Sequence, residues 1–123
     1  MSIRNSRETG KMGEEFASLY LSKNGINIID RNYFSKFGEI DLIGIENKTI
    51  IFIEVRLRST KDFGLPFESI TKSKLHKLEK TILGYLSEKE YGDYDCRFDI
   101  ISLIYNENEE NFCVEWLKNQ DFT

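Results

Sequence analysis

The chain has 123 residues and a formal net charge of −4, with 40% hydrophobic and 13% aromatic residues. A chain of this size and composition folds as one globular domain, which excludes a largely disordered protein. The longest apolar run, residues 49–53, is too short to span a membrane, and the N-terminal segment lacks the apolar region of a signal peptide. We therefore expect a cytoplasmic protein with one domain, residues 1–123, whose ends are flexible at about residues 1–8 and 119–123.

The N-terminal half of the chain predicts one helix followed by three strands. The helix carries an apolar stripe with helical spacing, formed by Met12, Phe16, Leu19 and Tyr20. It ends at the pair Asn24-Gly25, which is typical of helix C-termini. The last two strands are joined by a two-residue turn at Asn47 and Lys48. The strands are predicted at residues 26–34, 38–46 and 49–58.

The C-terminal half predicts a loop, a second helix and two further strands. Gly64 and Pro66 mark the loop, and Thr71 is a suitable N-cap for the helix. The apolar stripe of this helix consists of Leu75, Leu78, Ile82, Tyr85 and Leu86. The strands follow at residues 95–105 and 112–118. The order α-β-β-β-α-β-β predicts an α/β fold, a mixed β-sheet flanked by helices.

The second and third strands carry acidic residues within their apolar runs. Aspartate is a poor strand residue, and a buried charge is costly unless it is paired or bound to a metal. The two-residue turn sets a register that places Asp41 opposite Glu54 and Glu39 opposite Arg56. Opposite side chains share a face of the sheet. We therefore predict that these four side chains form one cluster.

Two facing carboxylates repel each other unless a cation lies between them. Oxygen ligands at this spacing favour Mg²⁺ or Mn²⁺. The alternative is a ladder of cross-strand ion pairs on a solvated face, with Arg56, Arg58 or a lysine as the cation. Ile50 and Phe52 share the face of Glu54, which favours a partly buried site over the ladder.

Positive charge is concentrated just after the acidic strands. Residues 48–80 carry a net charge of +4, whereas residues 1–47 carry −1 and residues 81–123 carry −7. On the second helix, Lys74 and Lys77 share a face, and Lys72 and Lys80 extend the basic surface. This pattern is typical of a phosphate-binding surface, and an ordinary solvated helix face is the alternative.

Three other groups of side chains are assigned structural roles. Cys96 and Cys113 are distant in sequence and lack a C-x-x-C motif, which favours reduced cysteines over a disulfide or a zinc site. His76 is the only histidine, and we expect it at the surface. Arg97 and Asp99 alternate on the fourth strand, where we expect a structural pair; support of the acidic site is the alternative.

Several segments occur together in a recognisable order. They are GEIDLI (38–43), FIEVRLRS (52–59), FGLPFESITKSKLHKLEKTILGYL (63–86), DCRFDII (95–101) and VEWLK (114–118). In this combination the chain resembles the YraN-like family of small bacterial proteins, from about residue 9 to residue 118. That family is placed in the Holliday junction resolvase-like branch of the PD-(D/E)XK nuclease superfamily.

The resemblance implies a restriction-endonuclease-like αβββαβ core that acts on DNA with Mg²⁺ or Mn²⁺. It implies metal ligands at Glu14, Asp41 and Glu54, with Glu15 as the alternative to Glu14. Asp41 and Glu54, together with Arg56, would be the catalytic residues. Position 56 holds a lysine in the superfamily, so the arginine in this chain leaves turnover open. The implied nucleic-acid contacts are Lys72, Lys74, Lys77 and Arg58.

Three functions are therefore compared. The leading hypothesis is a metal-dependent nuclease that hydrolyses phosphodiester bonds in structured or broken DNA. The second is a non-catalytic nucleic-acid-binding protein that retains the nuclease fold. The third is a protein-interaction domain whose acidic C-terminal half binds a basic partner. The resemblance also raises a homodimer as an alternative to a monomer, because junction-cutting members of the superfamily pair up.

Overall fold

The computed structural model describes residues 6–59, 71–106 and 108–121, with no side-chain description for residues 6–9 and 59. The predicted element order is confirmed, and the boundaries agree within one or two residues, apart from the start of the first helix. The predicted loop at Gly64 and Pro66 lies outside the described residues. The elements are α1 (Ser6–Lys23), β1 (Asn27–Ser35), β2 (Gly38–Glu46), β3 (Thr49–Ser59), α2 (Lys72–Glu88), β4 (Asp95–Asn106) and β5 (Asn111–Leu117).

The five strands form one mixed sheet in the order β1-β2-β3-β4-β5. Three of the four pairings are antiparallel, and β3 pairs with β4 in parallel. A parallel pair requires a crossover connection, and α2 lies in the connection between β3 and β4. The fold is therefore a single α/β domain, as predicted.

Helix α1 packs on one face of the sheet through small residues. Gly13 and Ala17 are buried, and a Cβ atom at Gly13 would lie only 3.4 Å from Cδ1 of Leu103 in β4. The helix can therefore approach the sheet closely just before Glu14. Leu19, which was predicted to face the core, is 55% exposed. That prediction is wrong because Gly13, Ala17 and Leu21 face the sheet at four-residue spacing, and Leu19 points away from them.

Helix α2 packs on the opposite face through the predicted stripe. The side chain of Thr71 caps the helix by accepting a hydrogen bond from the backbone N–H of Lys74 at 3.2 Å. Leu78, Ile82 and Tyr85 are buried against the sheet. The N-terminal turn of α2, which carries Lys72 and Lys74, lies beside the middle of β3, where Lys74 contacts Glu54.

The ends of the predicted domain are only partly described. Residues 1–5 and 122–123, within the segments predicted to be flexible, lie outside the described residues. Residues 6–8 belong to α1, and the backbone N–H of Gln120 donates to the carbonyl of Phe98 at 2.7 Å. Neither helix in the described part of the chain is long and apolar enough to cross a membrane.

Candidate active site

Strands β2 and β3 pair in the predicted register over part of their length. The pairs run from Glu46–Thr49 to Leu42–Ile53. The turn between them contains Asn47 with a φ angle of 54°, in the left-handed region that asparagine tolerates. The prediction from the two-residue turn is therefore confirmed for these five pairs.

Beyond these pairs the two strands separate. In a continued antiparallel ladder, the backbone N–H of Val55 would point at the carbonyl of Ile40. It donates instead to Oδ2 of Asp41, at 2.8 Å. The aspartate side chain thus replaces a backbone acceptor and opens the sheet between β2 and β3.

Two predicted pairs lie beyond this opening. Among the described residues, the β2–β3 ladder contains neither Asp41 with Glu54 nor Glu39 with Arg56. These two pairs are wrong because the strands no longer run side by side there. The cluster itself is largely formed, since Glu54 and Glu39 both lie close enough to Asp41 for their charges to act on it.

Asp41 occupies an unfavourable electrostatic environment. The pKa of its carboxyl group is raised from 3.8 to about 7, chiefly by burial. The charges of Glu54, Glu14 and Glu39 also raise it, and the Val55 hydrogen bond lowers it. No salt bridge to Asp41 occurs within the described part of the chain. The solvated ion-pair ladder therefore does not describe this residue.

Glu54 is the buried acid of the cluster, with 8% of its surface exposed. Its Oε2 atom lies 3.2 Å from Nη1 of Arg56 and 3.1 Å from Nζ of Lys74. The arginine follows Glu54 on the same strand face, and the lysine comes from the first turn of α2. Two cations from different elements therefore meet at one buried carboxylate oxygen.

Asn32 connects two acids of the cluster and was not predicted as a site residue. Its Nδ2 atom donates to Oε1 of Glu14 at 3.2 Å and to Oε2 of Glu39 at 2.8 Å. Its φ angle of 48° lies in the left-handed region. An asparagine inside an otherwise regular strand run was the only sequence signal, because asparagine adopts this conformation more readily than most residues.

The geometry distinguishes Glu14 from the alternative, Glu15. Glu14 lies near enough to Asp41 to raise its pKa. Glu15 points elsewhere, since its Oε2 atom lies 2.9 Å from Nη1 of Arg31 and both side chains are about half exposed. The α1 acid that faces the cluster is therefore Glu14.

The donor chemistry of the cluster suits a hard divalent cation. Its members supply carboxylate oxygens, and a cation would relieve the repulsion that raises the pKa of Asp41. Within residues 6–59, 71–106 and 108–121, however, no three metal-ligating side chains already have the arrangement of a metal site. Oε2 of Glu54 contacts Arg56 and Lys74, and Oε1 of Glu14 accepts a hydrogen bond from Asn32, so a bound cation would compete with these partners.

The predicted nucleic-acid contacts lie around the same opening. Lys72 and Lys77 are exposed on α2, and Lys74 reaches Glu54. Arg58 follows Arg56 on the same face of β3 and is partly buried. Of these four predicted contacts, Lys74 reaches the acid cluster, and the other three lie on the same two elements as Lys74 and Arg56.

The groups assigned structural roles lie away from the site. Asp99 shares the face of Ile53, opposite to that of Glu54, because successive strand residues face opposite sides. It is fully buried and accepts hydrogen bonds from Nε of Arg97 at 3.1 Å and from Nε1 of Trp116 at 2.9 Å. The structural pair is confirmed. Cys96 and Cys113 are free, as predicted, and both are exposed. His76 is exposed, as predicted.

Comparison with known proteins identifies the family. The model described as "Uncharacterised protein family UPF0102" matches residues 13–103. The chain belongs to the UPF0102 (YraN) family. The match spans α1 through most of β4, so it includes every residue of the acid cluster. The prediction of the YraN-like family is thereby confirmed.

Relatives within UPF0102 are similar over most of their length. A UPF0102 protein of Fusobacterium nucleatum is 41% identical over 115 residues, covering 94% of this chain and 92% of the relative. A UPF0102 protein of Dictyoglomus turgidum is 38% identical over 115 residues, covering 94% of this chain and 98% of the relative.

A repair endonuclease from Pyrococcus abyssi superposes on this chain with a TM-score of 0.44 and 12% sequence identity. The superposition covers 83% of this chain and 40% of the endonuclease chain. This chain therefore spans less than half of that protein.

Proposed function

We propose that this UPF0102 protein is a metal-dependent nuclease of the PD-(D/E)XK superfamily, acting in the cytoplasm on structured or broken DNA. The observation that carries the proposal is the opening between β2 and β3. There Glu14, Glu39, Asp41 and Glu54 converge from three elements, beside two cations that meet on Glu54. Carboxylates alone would repel a phosphate, so this arrangement requires a cation to be useful.

Each residue has a role in phosphodiester hydrolysis. Glu14, Asp41 and Glu54 would hold Mg²⁺ or Mn²⁺, which when bound polarises a phosphate and acidifies water. Arg56 binds a phosphate oxygen and stabilises developing negative charge, but it does not act as a base because guanidinium keeps its proton. Lys74 supplies a second positive charge at the same carboxylate, 3.1 Å from Oε2 of Glu54. No histidine or nucleophilic side chain is needed.

The flanking backbone of DNA would bind to the basic surface beside this opening. Lys72 and Lys77 lie on α2 near Lys74, which reaches Glu54, and Arg58 lies two residues after Arg56 on β3. Their charges favour phosphate and would concentrate DNA near the site. The proposal includes a homodimer, which would place two such sites on one substrate. Gel filtration or light scattering tests this part directly.

A second candidate function follows from position 56. Arginine replaces the lysine of the superfamily there, and both Arg56 and Lys74 already neutralise Glu54. This favours a protein that binds nucleic acid through a retained nuclease fold without cleaving it. Such a protein would bind DNA with an affinity that falls steeply with salt and depends little on Glu54.

The deciding experiment is a cleavage assay on labelled single-stranded, duplex, flapped and four-way DNA. Each substrate is incubated in EDTA, Mg²⁺ or Mn²⁺ with wild type, Glu54→Ala and Glu15→Ala. Glu15 is the matched control because it is an acid near the site that pairs with Arg31 outside the cluster. We expect metal-dependent cleavage that falls by about 100-fold or more in Glu54→Ala and is unchanged in Glu15→Ala.

The other outcomes separate the candidates. Circular dichroism of Glu54→Ala must show the wild-type fold, since its side chain is buried. Salt-dependent binding without cleavage by any variant would favour the non-catalytic candidate. Absence of both binding and cleavage would contradict both functions and favour the protein-interaction domain.

A further inference from the structure

An exposed aromatic ring borders the acid cluster. Phe34 is 71% exposed and is directly opposite Glu39 in the β1–β2 pair. Opposite residues of an antiparallel pair share a face, with Cβ atoms about 5 Å apart. Glu39 in turn shares Asn32 with Glu14 and acts on Asp41. A ligand that covers the Phe34 ring and shields it from solvent would thus lie at the edge of the candidate active site.

The β1–β2 turn beside this ring, residues 35–38, is fixed to α2. The hydroxyls of Ser35 and Thr81 are hydrogen-bonded at 3.0 Å, and Thr81 is buried. Oγ of Ser35 also accepts from the backbone N–H of Phe37 at 3.0 Å. The side chains of this turn are therefore held in place relative to α2. We call Phe34 together with residues 35–38 the hairpin tip.

Lysines connect the hairpin tip with the acid cluster. The Nζ atoms of Lys36 and Lys80 lie 5.2 and 5.0 Å from the centroid of the Phe37 ring. Lys80 lies six residues after Lys74, or about 9 Å along the helix axis. Lys77 lies midway at three-residue spacing, on the same helix face. A row of amino groups therefore runs along α2 from Glu54 to the tip.

We propose that the hairpin tip binds an unpaired nucleotide of a nucleic-acid strand beside the candidate active site. Phe34 lies on the face of the hairpin that points away from α2, because its neighbour Ser35 contacts Thr81 of α2. Phe34 stacks on the base there, and Lys36 and Lys80, around the Phe37 ring, bind phosphates of the same strand where it passes over the tip. Inside a duplex both faces of a base are covered by its neighbours, so only an unpaired or terminal base offers a face to Phe34. The inference rests on the proposed function for the position of the cleaved phosphate, and it narrows the substrate to DNA with single-stranded nucleotides at the site.

Nucleic acid fits the tip better than an acidic protein partner does. Both would be attracted by the lysines. A base also uses the exposed ring, because stacking between a base and an aromatic side chain is favourable for every base. The combination of an exposed ring, two lysines fixed around a neighbouring ring, and a basic row leading to the acids is what a single strand requires.

The test is equilibrium binding in EDTA, so that cleavage cannot interfere. Fluorescence anisotropy is measured with a single strand, the matching duplex and a flapped duplex of the same sequence. Variants are Phe34→Ala, Phe34→Trp and Leu19→Ala. Leu19 is the matched control because it is another exposed apolar side chain, 55% exposed on α1 and outside the cluster.

We expect wild type to bind the single strand and the flap at least about 10-fold more tightly than the duplex. Phe34→Ala should weaken binding to those two substrates by roughly 10- to 100-fold, the effect of losing one stacked base. Phe34→Trp should retain the affinity, and Leu19→Ala should leave it unchanged. Since Phe34 is largely exposed, Phe34→Ala should keep the wild-type melting temperature within a few degrees.

The lysines have their own matched control. Lys36→Ala with Lys80→Ala removes two amino groups at the tip, whereas Lys48→Ala with Lys89→Ala removes two that lie over Tyr94 and Tyr85. For single-stranded DNA, losing two phosphate contacts should reduce the slope of log affinity against log salt by about 1.4. The Lys48 and Lys89 pair should not change the slope.

Several outcomes would overturn the inference. These are equal binding of duplex and single strand, unchanged binding by Phe34→Ala, or binding of poly-glutamate but not of DNA. The last result would identify an acidic protein partner. The two proposals can fail separately. DNA binding that depends on Phe34, without any cleavage, would support the inference about the hairpin tip and contradict the nuclease function. Cleavage that is unchanged in Phe34→Ala would support the nuclease function and contradict the inference about the hairpin tip.

Discussion

Two aspartates two strands apart in the sheet have opposite surroundings. Asp99 in β4 is fully buried and accepts hydrogen bonds from Arg97, from Trp116 and from the backbone N–H of Asn119. Asp41 in β2 accepts one hydrogen bond, from Val55, and has three carboxylates around it. The first aspartate is surrounded by donors and stabilises the fold. The second has acids around it, and burial and their charges both disfavour its ionised form.

This difference separates a carboxylate that folding explains from one that folding alone does not explain. A buried carboxylate that is well supplied with donors is explained by folding alone. A carboxylate held among like charges needs a reason outside the folded chain, since burial and repulsion both disfavour its ionised form. Substitutions at Asp99 and at Asp41 should therefore change stability in opposite directions.

Removing the structural carboxylate should be the most destabilising change. Asp99→Ala leaves the guanidinium of Arg97 and the indole N–H of Trp116 without their buried acceptor. We expect the free energy of unfolding to fall by about 3–5 kcal/mol, measured by urea denaturation at pH 7. Asp99→Asn, which keeps one acceptor oxygen, should lose less. A loss below about 1 kcal/mol would show that Asp99 is not a structural centre.

Neutralising Asp41 should raise the free energy of unfolding, whereas removing the Asp99 carboxylate should lower it. Its pKa is raised to about 7 in the folded protein from 3.8, so the folded state binds the proton more tightly than the unfolded state. This contribution to stability is present below pH 3.8 and is lost as the pH rises through about 7. In EDTA, Asp41→Asn should therefore be more stable than wild type by roughly 2–4 kcal/mol at pH 8 and by less than about 1 kcal/mol at pH 4.

The pH dependence distinguishes charge from packing at Asp41. Asparagine keeps an oxygen that can accept from the backbone N–H of Val55, so only the charge is removed. A stability difference that stays constant from pH 4 to pH 8 would contradict the electrostatic explanation. A destabilised variant at pH 8 would contradict it more strongly.

Asn32 should have an intermediate effect. Asn32→Ala removes the donors to Glu14 and Glu39 and places alanine at a φ angle of 48°. We expect a loss of about 1–2 kcal/mol in thermal or urea unfolding. Asn32→Gly removes the same donors without backbone strain and should lose less. Equal losses in the two variants would show that the hydrogen bonds, and not the conformation, determine the effect.

Glu15 should give the smallest change. Its ion pair with Arg31 has side chains that are 58% and 46% exposed. Glu15→Ala should alter the free energy of unfolding by less than about 1 kcal/mol. This difference should become smaller as salt is added, because salt screens the exposed ion pair. A larger effect, measured by urea denaturation beside Asp41→Asn, would mean that Glu15 and not only Glu14 belongs to the cluster.

The sequence predicts the elements and part of the site, and the limits have physical causes. The turn at Asn47 and Lys48 correctly sets the β2–β3 register, because a two-residue turn fixes which residues are opposite. Where that ladder ends could not be predicted, since it depends on one side chain, Asp41, replacing a backbone acceptor. Glu39 therefore binds Asn32 and not the predicted cross-strand partner.

Contacts between distant elements were the other unpredictable part. The sequence placed Lys74 in the basic helix, but its contact with Glu54 depends on how α2 packs on the sheet. The burial of Leu19 was wrongly predicted because small residues can face a sheet as well as large ones, and here they do so at Gly13 and Ala17. Periodicity identifies a helix more reliably than it identifies the buried face when two stripes compete.

The most direct test of the central claim is the thermal unfolding of wild type at pH 7.5 in EDTA and in increasing Mn²⁺. The claim is that the acids around Asp41 form a cation site. It predicts stabilisation by about 2.7 kcal/mol at a Mn²⁺ concentration 100-fold above the dissociation constant, and loss of that stabilisation in Asp41→Asn but not in Glu15→Ala. An unfolding temperature that does not respond to Mn²⁺ or Mg²⁺, or that responds equally in Asp41→Asn, would contradict the claim.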